Sequence, residues 1–166
     1  MTMGDSWSYI FKENYKSPRR LVHTLCDIVS KGGNLLLNVA PGPDGAWHQE
    51  AYERSRDIGA WMHANGEAIY RTKMPANGRF RDGHMVFTQK GGTTYAIYMA
   101  ETGEDMLPEQ VRIPNFSLTA KTNIVLLGCD KPLKYKQVGN DVMVWMPDQV
   151  RKAPPCRYAW TFRIEG

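Results

Sequence analysis

The sequence predicts an α/β barrel fragment, carrying the last βα elements of such a barrel, followed by an antiparallel β-sandwich domain. Three observations lead there. The stretch SKGGNLLLNVAPGPDG, residues 30–45, joins the end of a helix to a short apolar run and a rigid loop, and a second helical stretch comes next. That order of helix, buried strand, loop and helix belongs to parallel α/β units. From Arg79 onward, short period-two runs separated by glycine turns take over, as expected of a sandwich. Finally, the clearest alternation of the whole chain lies at Tyr158–Ile164. One barrel-type strand cannot form a sheet, so residues 1–72 read as the incomplete end of a (β/α) barrel and residues 73–166 as the sandwich.

Residues 1–16 are irregular and aromatic, with Trp7, Tyr9, Phe11 and Tyr15 among polar neighbours. Ser17-Pro18 then starts a helix, with serine as N-cap and proline at the first helical position, where a missing N–H costs nothing. Leu21, Val22, Leu25, Ile28 and Val29 fall at helical spacing and define one buried face. Gly32-Gly33 stops this helix. Asn34–Val39 is apolar enough to be a strand covered on both faces, and Pro41–Gly45 is a stiff loop. The second helix is expected over Gln49–Ala64 with Ala51, Ile58, Trp61 and Met62 inward, and Asn65-Gly66 ends it.

Lys73–Gly78 contains Pro75, Asn77 and Gly78 and reads as a linker. Beyond it, Met85 and Phe87 share one strand face, and Tyr95, Ile97 and Met99 share one face of the next. Gly91-Gly92 joins these runs as a hairpin. Ile124–Leu127 is a buried strand, and Gly139-Asn140-Asp141 closes a second hairpin between Leu133–Val138 and Val142–Met146. In the final run Tyr158, Trp160, Phe162 and Ile164 point one way, with Ala159, Thr161 and Arg163 opposite.

Composition narrows the function. The chain has 166 residues, of which 42% are hydrophobic and 23% charged, which are globular values. The excess of 21 Lys+Arg over 17 Asp+Glu is small. Positive charge concentrates only at Lys16–Arg20 and Lys131–Lys136, which read as solvated faces, so no nucleic-acid partner is expected. No apolar run of about 20 residues is present, and no membrane partner is expected. The three cysteines are widely spaced; Cys26 falls on an apolar helix face, and Cys129 and Cys156 are left open as a pair. Neither a metal motif nor a cofactor loop is found, so no metal and no cofactor are expected.

Ser6-Trp7-Ser8-Tyr9, Tyr15-Lys16-Ser17 before a helix, DIVSKGGNLLLNVAPGPDG (Asp27–Gly45) and IGAWMHANGEAIY (Ile58–Tyr70) together resemble the end of the α-L-fucosidase family of glycoside hydrolases. The resemblance is close over residues 1–72 and one of architecture beyond. The family usually has glycine where Ser8 stands. What the resemblance implies is a retaining exo-α-L-fucosidase that removes terminal α-L-fucose from glycans, with a catalytic barrel and a bracing β-sandwich. It also implies a secreted, periplasmic or lysosomal location.

Retaining glycosidases use a nucleophile and an acid/base carboxyl about 5–5.5 Å apart. By the resemblance, both lie on barrel segments that precede the matched ones, so no catalytic residue is assigned in this chain. Among local carboxylates, Asp44 is expected to serve its own turn, Glu67 to bond nearby backbone or Arg71, and Asp5 and Glu13 to stand unpaired. Trp7 is the one substrate-binding candidate: by the resemblance it lies near the fucose pocket, and an indole face suits the apolar side and methyl group of that sugar. Asn38, ending the strand, is expected to bond a neighbouring strand, and His23, His48, His63 and His84 stand alone in the sequence.

Two readings follow. In the first, the chain acts on fucosylated glycans only when the rest of the barrel completes it, and is inactive by itself. In the second, it is a non-catalytic carbohydrate-binding or structural β-sandwich module. The unpaired barrel edge also leaves self-association open, because exposed strand edges pair with other chains.

Overall fold

The protein is described by a computed structural model that covers residues 1–104, 106–129 and 131–166. Helix α1 (Pro18–Ser30) starts where the sequence places it: the Ser17 hydroxyl accepts from Arg20 N–H at 3.2 Å. It stops in a Schellman turn, with Gly33 N–H donating to Ile28 O at 3.0 Å and Gly32 N–H to Val29 O at 2.9 Å. Gly32 takes a φ of +80°, a conformation glycine adopts without steric cost. Helix α2 (Gln49–Asn65) runs into a short 3-10 turn, Gly66–Ala68, and buries Ala51 and Trp61. Cys26 is fully buried on α1, as its position on the apolar face predicts.

Residues 34–39 depart from expectation. They are extended but form no strand sealed on both faces. Their pairing is a parallel bridge between Thr2 and Asn38, with Met3 N–H donating to Asn38 O and Asn38 N–H to Met1 O, both at 2.9 Å. Leu37 and Val39 pack inward against Met3, Leu21 and Ala51, whereas Leu36 is 84% exposed. The cause is the two-residue period of an extended chain: α1 and α2 cover one side, and nothing among the described residues covers the other.

The remainder is built from antiparallel strands. β1 (Arg81–Asp82), β2 (Met85–Lys90), β3 (Thr93–Met99), β5 (Asn123–Leu126) and β8 (Ala159–Glu165) form a five-stranded sheet in the order β1-β2-β3-β8-β5. β4 (Gln110–Ile113), β6 (Lys134–Val138) and β7 (Asp141–Trp145) form a second sheet in the order β4-β7-β6. Both expected hairpins are present. β4, and the short helix α3 (Asp148–Lys152) that leads toward β8, lie in stretches without a periodic signal in the sequence.

The five-stranded sheet is buried on both faces, and alternation along its strands assigns each residue to one core. Met85, Phe87, Ala96, Trp160, Phe162, Ile164, Ile124 and Leu126 meet Val111, Ile113, Val142 and Val144 of the second sheet. The opposite face sends Val86, Tyr95, Ile97, Met99 and Ala159 against Val22, Cys26, Val29 and Trp61 of the two helices. Tyr158 breaks the expected alternation. Its φ of +76° turns it out of register, and its ring packs on the helix side instead of with Trp160 and Phe162.

Polar contacts pin the helices to that face. Trp61 donates from Nε1 to Ala159 O at 2.8 Å, Thr88 from Oγ1 to Ala68 O at 2.7 Å, and Arg19 to Ala100 O at 2.7 Å. Asp27 on α1 accepts from Arg81 at 2.9 Å and from Lys31 at 2.6 Å. The three thiols form no disulfide; Cys156 donates to Ala159 O at 3.2 Å, and burial pushes its thiol up to about 11.

Two measurements check this junction. Trp61→Ala removes a fully buried ring and should cost about 3–5 kcal/mol by chemical denaturation, while Trp61→Phe keeps most of the packing and loses about 1–2 kcal/mol with the indole hydrogen bond. Burial pushes the Asp27 carboxyl up, but the hydrogen bonds and charges of Lys31 and Arg81 outweigh it and leave it below the ordinary value of 3.8. A depressed carboxyl contributes stability that is complete above that ordinary value and lost as pH falls through the folded one. Asp27→Asn should therefore flatten the acid limb of the stability curve below about pH 4.

Candidate functional site

Three loops meet at one end of the N-terminal part: residues 4–14, the segment through Asn38 and Val39, and residues 40–48. The first owes its shape to Glu13. Its carboxylate accepts from Asp5 N–H and Asn14 N–H at 2.9 Å and from Ser6 N–H at 3.2 Å. Gly4 permits this approach, since a Cβ there would lie 2.3 Å from the Glu13 carboxyl carbon. Lys16 reaches back from the foot of α1 to the Gly4 carbonyl and lies 3.5 Å from Asp5. A hydrogen bond from Asn14, together with the Lys16 charge, holds the Asp5 carboxyl below its ordinary value.

The clamped loop presents Trp7, whose side chain is 75% exposed. Asn38 donates from Nδ2 to the Trp7 carbonyl at 3.1 Å, so the bridged segment fixes the loop from beneath. Ser8 keeps a negative-side backbone; it is absent from the positive-φ residues, so serine serves here without strain. Beside Trp7 is an apolar cavity of about 390 Å³ with walls of Met1, Leu36, Leu37, Val39 and Trp47. Trp47 in turn packs on Tyr52, with ring centres 5.3 Å apart. Behind the loop, His48 sits between Tyr9 and Tyr15, and its Nδ1 lies 3.2 Å from the Tyr15 hydroxyl.

This arrangement offers apolar and aromatic surface, and among the described residues no carboxylate lines the cavity. It can hold the flat side of a ring. The candidate carboxylates of the sequence are occupied elsewhere. Asp44 accepts from Ala46 N–H at 3.0 Å and serves its turn. Glu67, expected on nearby backbone or Arg71, lies 3.5 Å from Arg163 instead; the strand β8 brings Arg163 beneath the 3-10 turn, a contact no local spacing announces. Glu13 is neither free nor paired with a second acid, because three backbone donors consume it. Three of the four histidines find partners: His23 on Tyr158 O at 2.8 Å, His48 on Tyr15, and His84 on Glu101 at 2.9 Å.

Sequence reasoning missed Trp47 and the roles of Glu13 and Asn38 in displaying Trp7. A glutamate nine residues after a buried glycine is too distant a signal to read without the loop's shape. Among the described residues, no group of three or more His, Cys, Asp or Glu is placed to hold a metal. The aromatic faces of Trp160, Phe162 and Tyr95 are buried in the two cores, so they offer no sugar platform. Glu13→Ala should speed amide exchange at Asp5, Ser6 and Asn14 by at least about tenfold, from the loss of net hydrogen bonds worth about 1.5–3 kcal/mol each. Asp44→Ala, which removes a bond to Ala46 N–H within its own turn, should leave those amides unchanged in the same experiment.

Comparison with known proteins places this geometry. The alpha-L-fucosidase family model matches residues 1–67, and the model for the alpha-L-fucosidase C-terminal domain matches residues 80–165. An alpha-L-fucosidase of Branchiostoma floridae is 36% identical over 148 residues, covering 88% of this chain and 32% of its own length. Tissue alpha-L-fucosidase of Bos taurus is 32% identical over 168 residues, covering 97% of this chain and 34% of its own. The crystal structure of Thermotoga maritima alpha-fucosidase in complex with fucose superposes with a TM-score of 0.79 at 29% identity, over 97% of this chain and 38% of that one. The chain thus spans about a third of the length of the curated relatives it matches.

Proposed function

The chain belongs to the α-L-fucosidase family, and on that footing we propose that it is part of a retaining exo-α-L-fucosidase that removes terminal α-L-fucose from glycans. In this reading residues 1–72 close a (β/α) barrel and residues 73–166 brace it as the C-terminal domain. The observation that carries the reading is the uncovered apolar face around Leu36, flanked by Trp7 and Trp47. Neighbouring barrel strands are the natural cover for such a face, because barrel interiors are filled by layers of apolar side chains.

The loops that bear Trp7 and Trp47 stand at the C-terminal end of the 34–39 segment, the end at which barrel enzymes build their active sites. Trp7 lays its indole against the apolar side of the sugar, while Asn38 and Glu13 hold the Trp7 loop at the correct height. The nucleophile and the acid/base carboxyl come from barrel segments that match nothing in this chain. Fucosylated glycans are accordingly its partners only within the completed barrel.

By itself the chain should show no hydrolysis of an aryl α-L-fucoside above the buffer rate. Turnover that copurifies with the chain and falls in Asp5→Asn or Glu13→Gln would overturn the proposal. When the barrel is completed, Trp7→Ala should lower kcat/KM by about tenfold, the equivalent of a lost aromatic contact of about 1.4 kcal/mol. A Trp7→Ala enzyme with unchanged kcat/KM would remove Trp7 from the binding site.

A further inference from the structure

On the face of β2 and β3 that meets the second sheet, Met85, Phe87 and Ala96 belong to the core. The two-residue period carries the next positions of that face to Gln89 and Thr94, which pair across the two strands. Alternation calls for apolar residues there, and the chain places an amide and a hydroxyl instead. Such breaks of a local rule are expected at functional positions. Gln89 and Thr94 line a cavity of about 430 Å³, together with residues 75–77 of the linker and residues 115–117 beyond β4. Its size falls within the range of ligand pockets, about 300–1,000 Å³. None of the described residues lining it lines the cavity beside Trp7.

The walls are held in place by bonds among themselves. The Arg79 guanidinium donates to Asn115 O at 2.6 Å and to Pro114 O, pairs with Asp82 at 3.4 Å, and stands 4.8 Å over the Phe87 ring. The linker is tied to β2: Lys73 and Gln89 exchange backbone hydrogen bonds of 2.9 and 2.8 Å, and Gln89 Oε1 accepts from Ala76 N–H at 3.3 Å. Asn115 donates from its backbone to Asp141 at 2.8 Å and from Nδ2 to Asp82 at 3.2 Å. A cavity whose walls are set in advance binds without paying to order them.

Those bonds leave a mixed set of polar groups over. The side-chain nitrogens of Asn77 and Gln89, the Asn115 Oδ1 and the hydroxyls of Thr94 and Ser117 make no hydrogen bond to another described residue. The two amide nitrogens donate, Oδ1 accepts, and the two hydroxyls do both. Phe116, half-buried, adds aromatic surface to the lining. Arg79 is already engaged by Asp82 and two carbonyls.

We propose that this cavity binds a neutral saccharide. Each sugar hydroxyl both donates and accepts, as the lining groups require, and an aromatic ring suits the apolar side of a sugar. An ion would have to compete for the one cation that the described lining holds. The inference stands apart from the hydrolase reading, because it concerns binding to the chain as it stands and uses none of the Trp7 loop.

The test is an NMR titration of the isotopically labelled full chain, following the side-chain amides of Asn77, Gln89 and Asn115. The probes are L-fucose, D-galactose, D-glucose, D-mannose, N-acetyl-D-glucosamine and lactose, with sodium acetate as the anion. At least one sugar should give saturable shifts and acetate none. Thr94→Val combined with Ser117→Ala breaks no hydrogen bond among the described residues, so the fold is kept, and should weaken that binding at least about tenfold for two lost hydrogen bonds. Trp7→Ala should leave it unchanged, which separates this site from the one at Trp7. Shifts that saturate with no sugar, saturation by acetate alone, or sugar binding that the double variant leaves intact would overturn the proposal.

Discussion

Everything in this structure hangs on a sheet with two buried faces. Strands β3 and β8 lie side by side near its middle, and each contributes alternate residues to two separate cores. A sheet covered on one side only would leave Ile97, Met99 and Ala159 in water; here α1 and α2 take that side, and Trp61 locks the contact with its indole hydrogen bond. Hydrophobic burial is non-directional, so the direction comes from the few polar contacts at Trp61, Thr88, Arg19 and Asp27. They set where the helices lie on the sheet.

The loops that form the candidate site inherit their positions from those helices. Ser17 caps α1 directly after the Trp7 loop, Lys16 ties that loop's base, and His48 opens α2 while packing between Tyr9 and Tyr15. The result is an exposed indole on a backbone held by Glu13 and Asn38, beside an apolar cavity whose described lining holds no carboxylate. Such a surface suits contact with the apolar side of a ring. In the proposed enzyme the division of labour follows from this: the sandwich fixes the helices, the helices fix the loops, and the reactive carboxyls come from elsewhere in the barrel.

Much of this was legible in the sequence wherever the signal is local. The Ser17-Pro18 start, the glycine stop of α1, the hairpins at Gly91-Gly92 and Gly139-Asn140, and the alternation of Trp160, Phe162 and Ile164 all depend on neighbours within a few residues. The failures are non-local. Leu35–Val39 is apolar enough for a doubly covered strand, but burial depends on what lies opposite, and only one side is covered here. Tyr158 fits the alternation as letters do, yet its left-handed backbone sends it to the other core. Glu67 meets Arg163 across a distance in sequence that no spacing rule spans. For the site, Trp7 could be singled out through a family resemblance, whereas Glu13, Asn38 and Trp47 acquire their roles only once the loops are placed.

Native-state hydrogen exchange over the whole chain tests the central claim most directly. If the two-faced sheet organises the molecule, the amides of α1 and α2 exchange in the same slow class as those of β3 and β8, and residues 35–39, bonded on one side only, exchange orders of magnitude faster. Helices that exchange freely while the strands stay protected, or a 35–39 segment as protected as β8, would contradict the account.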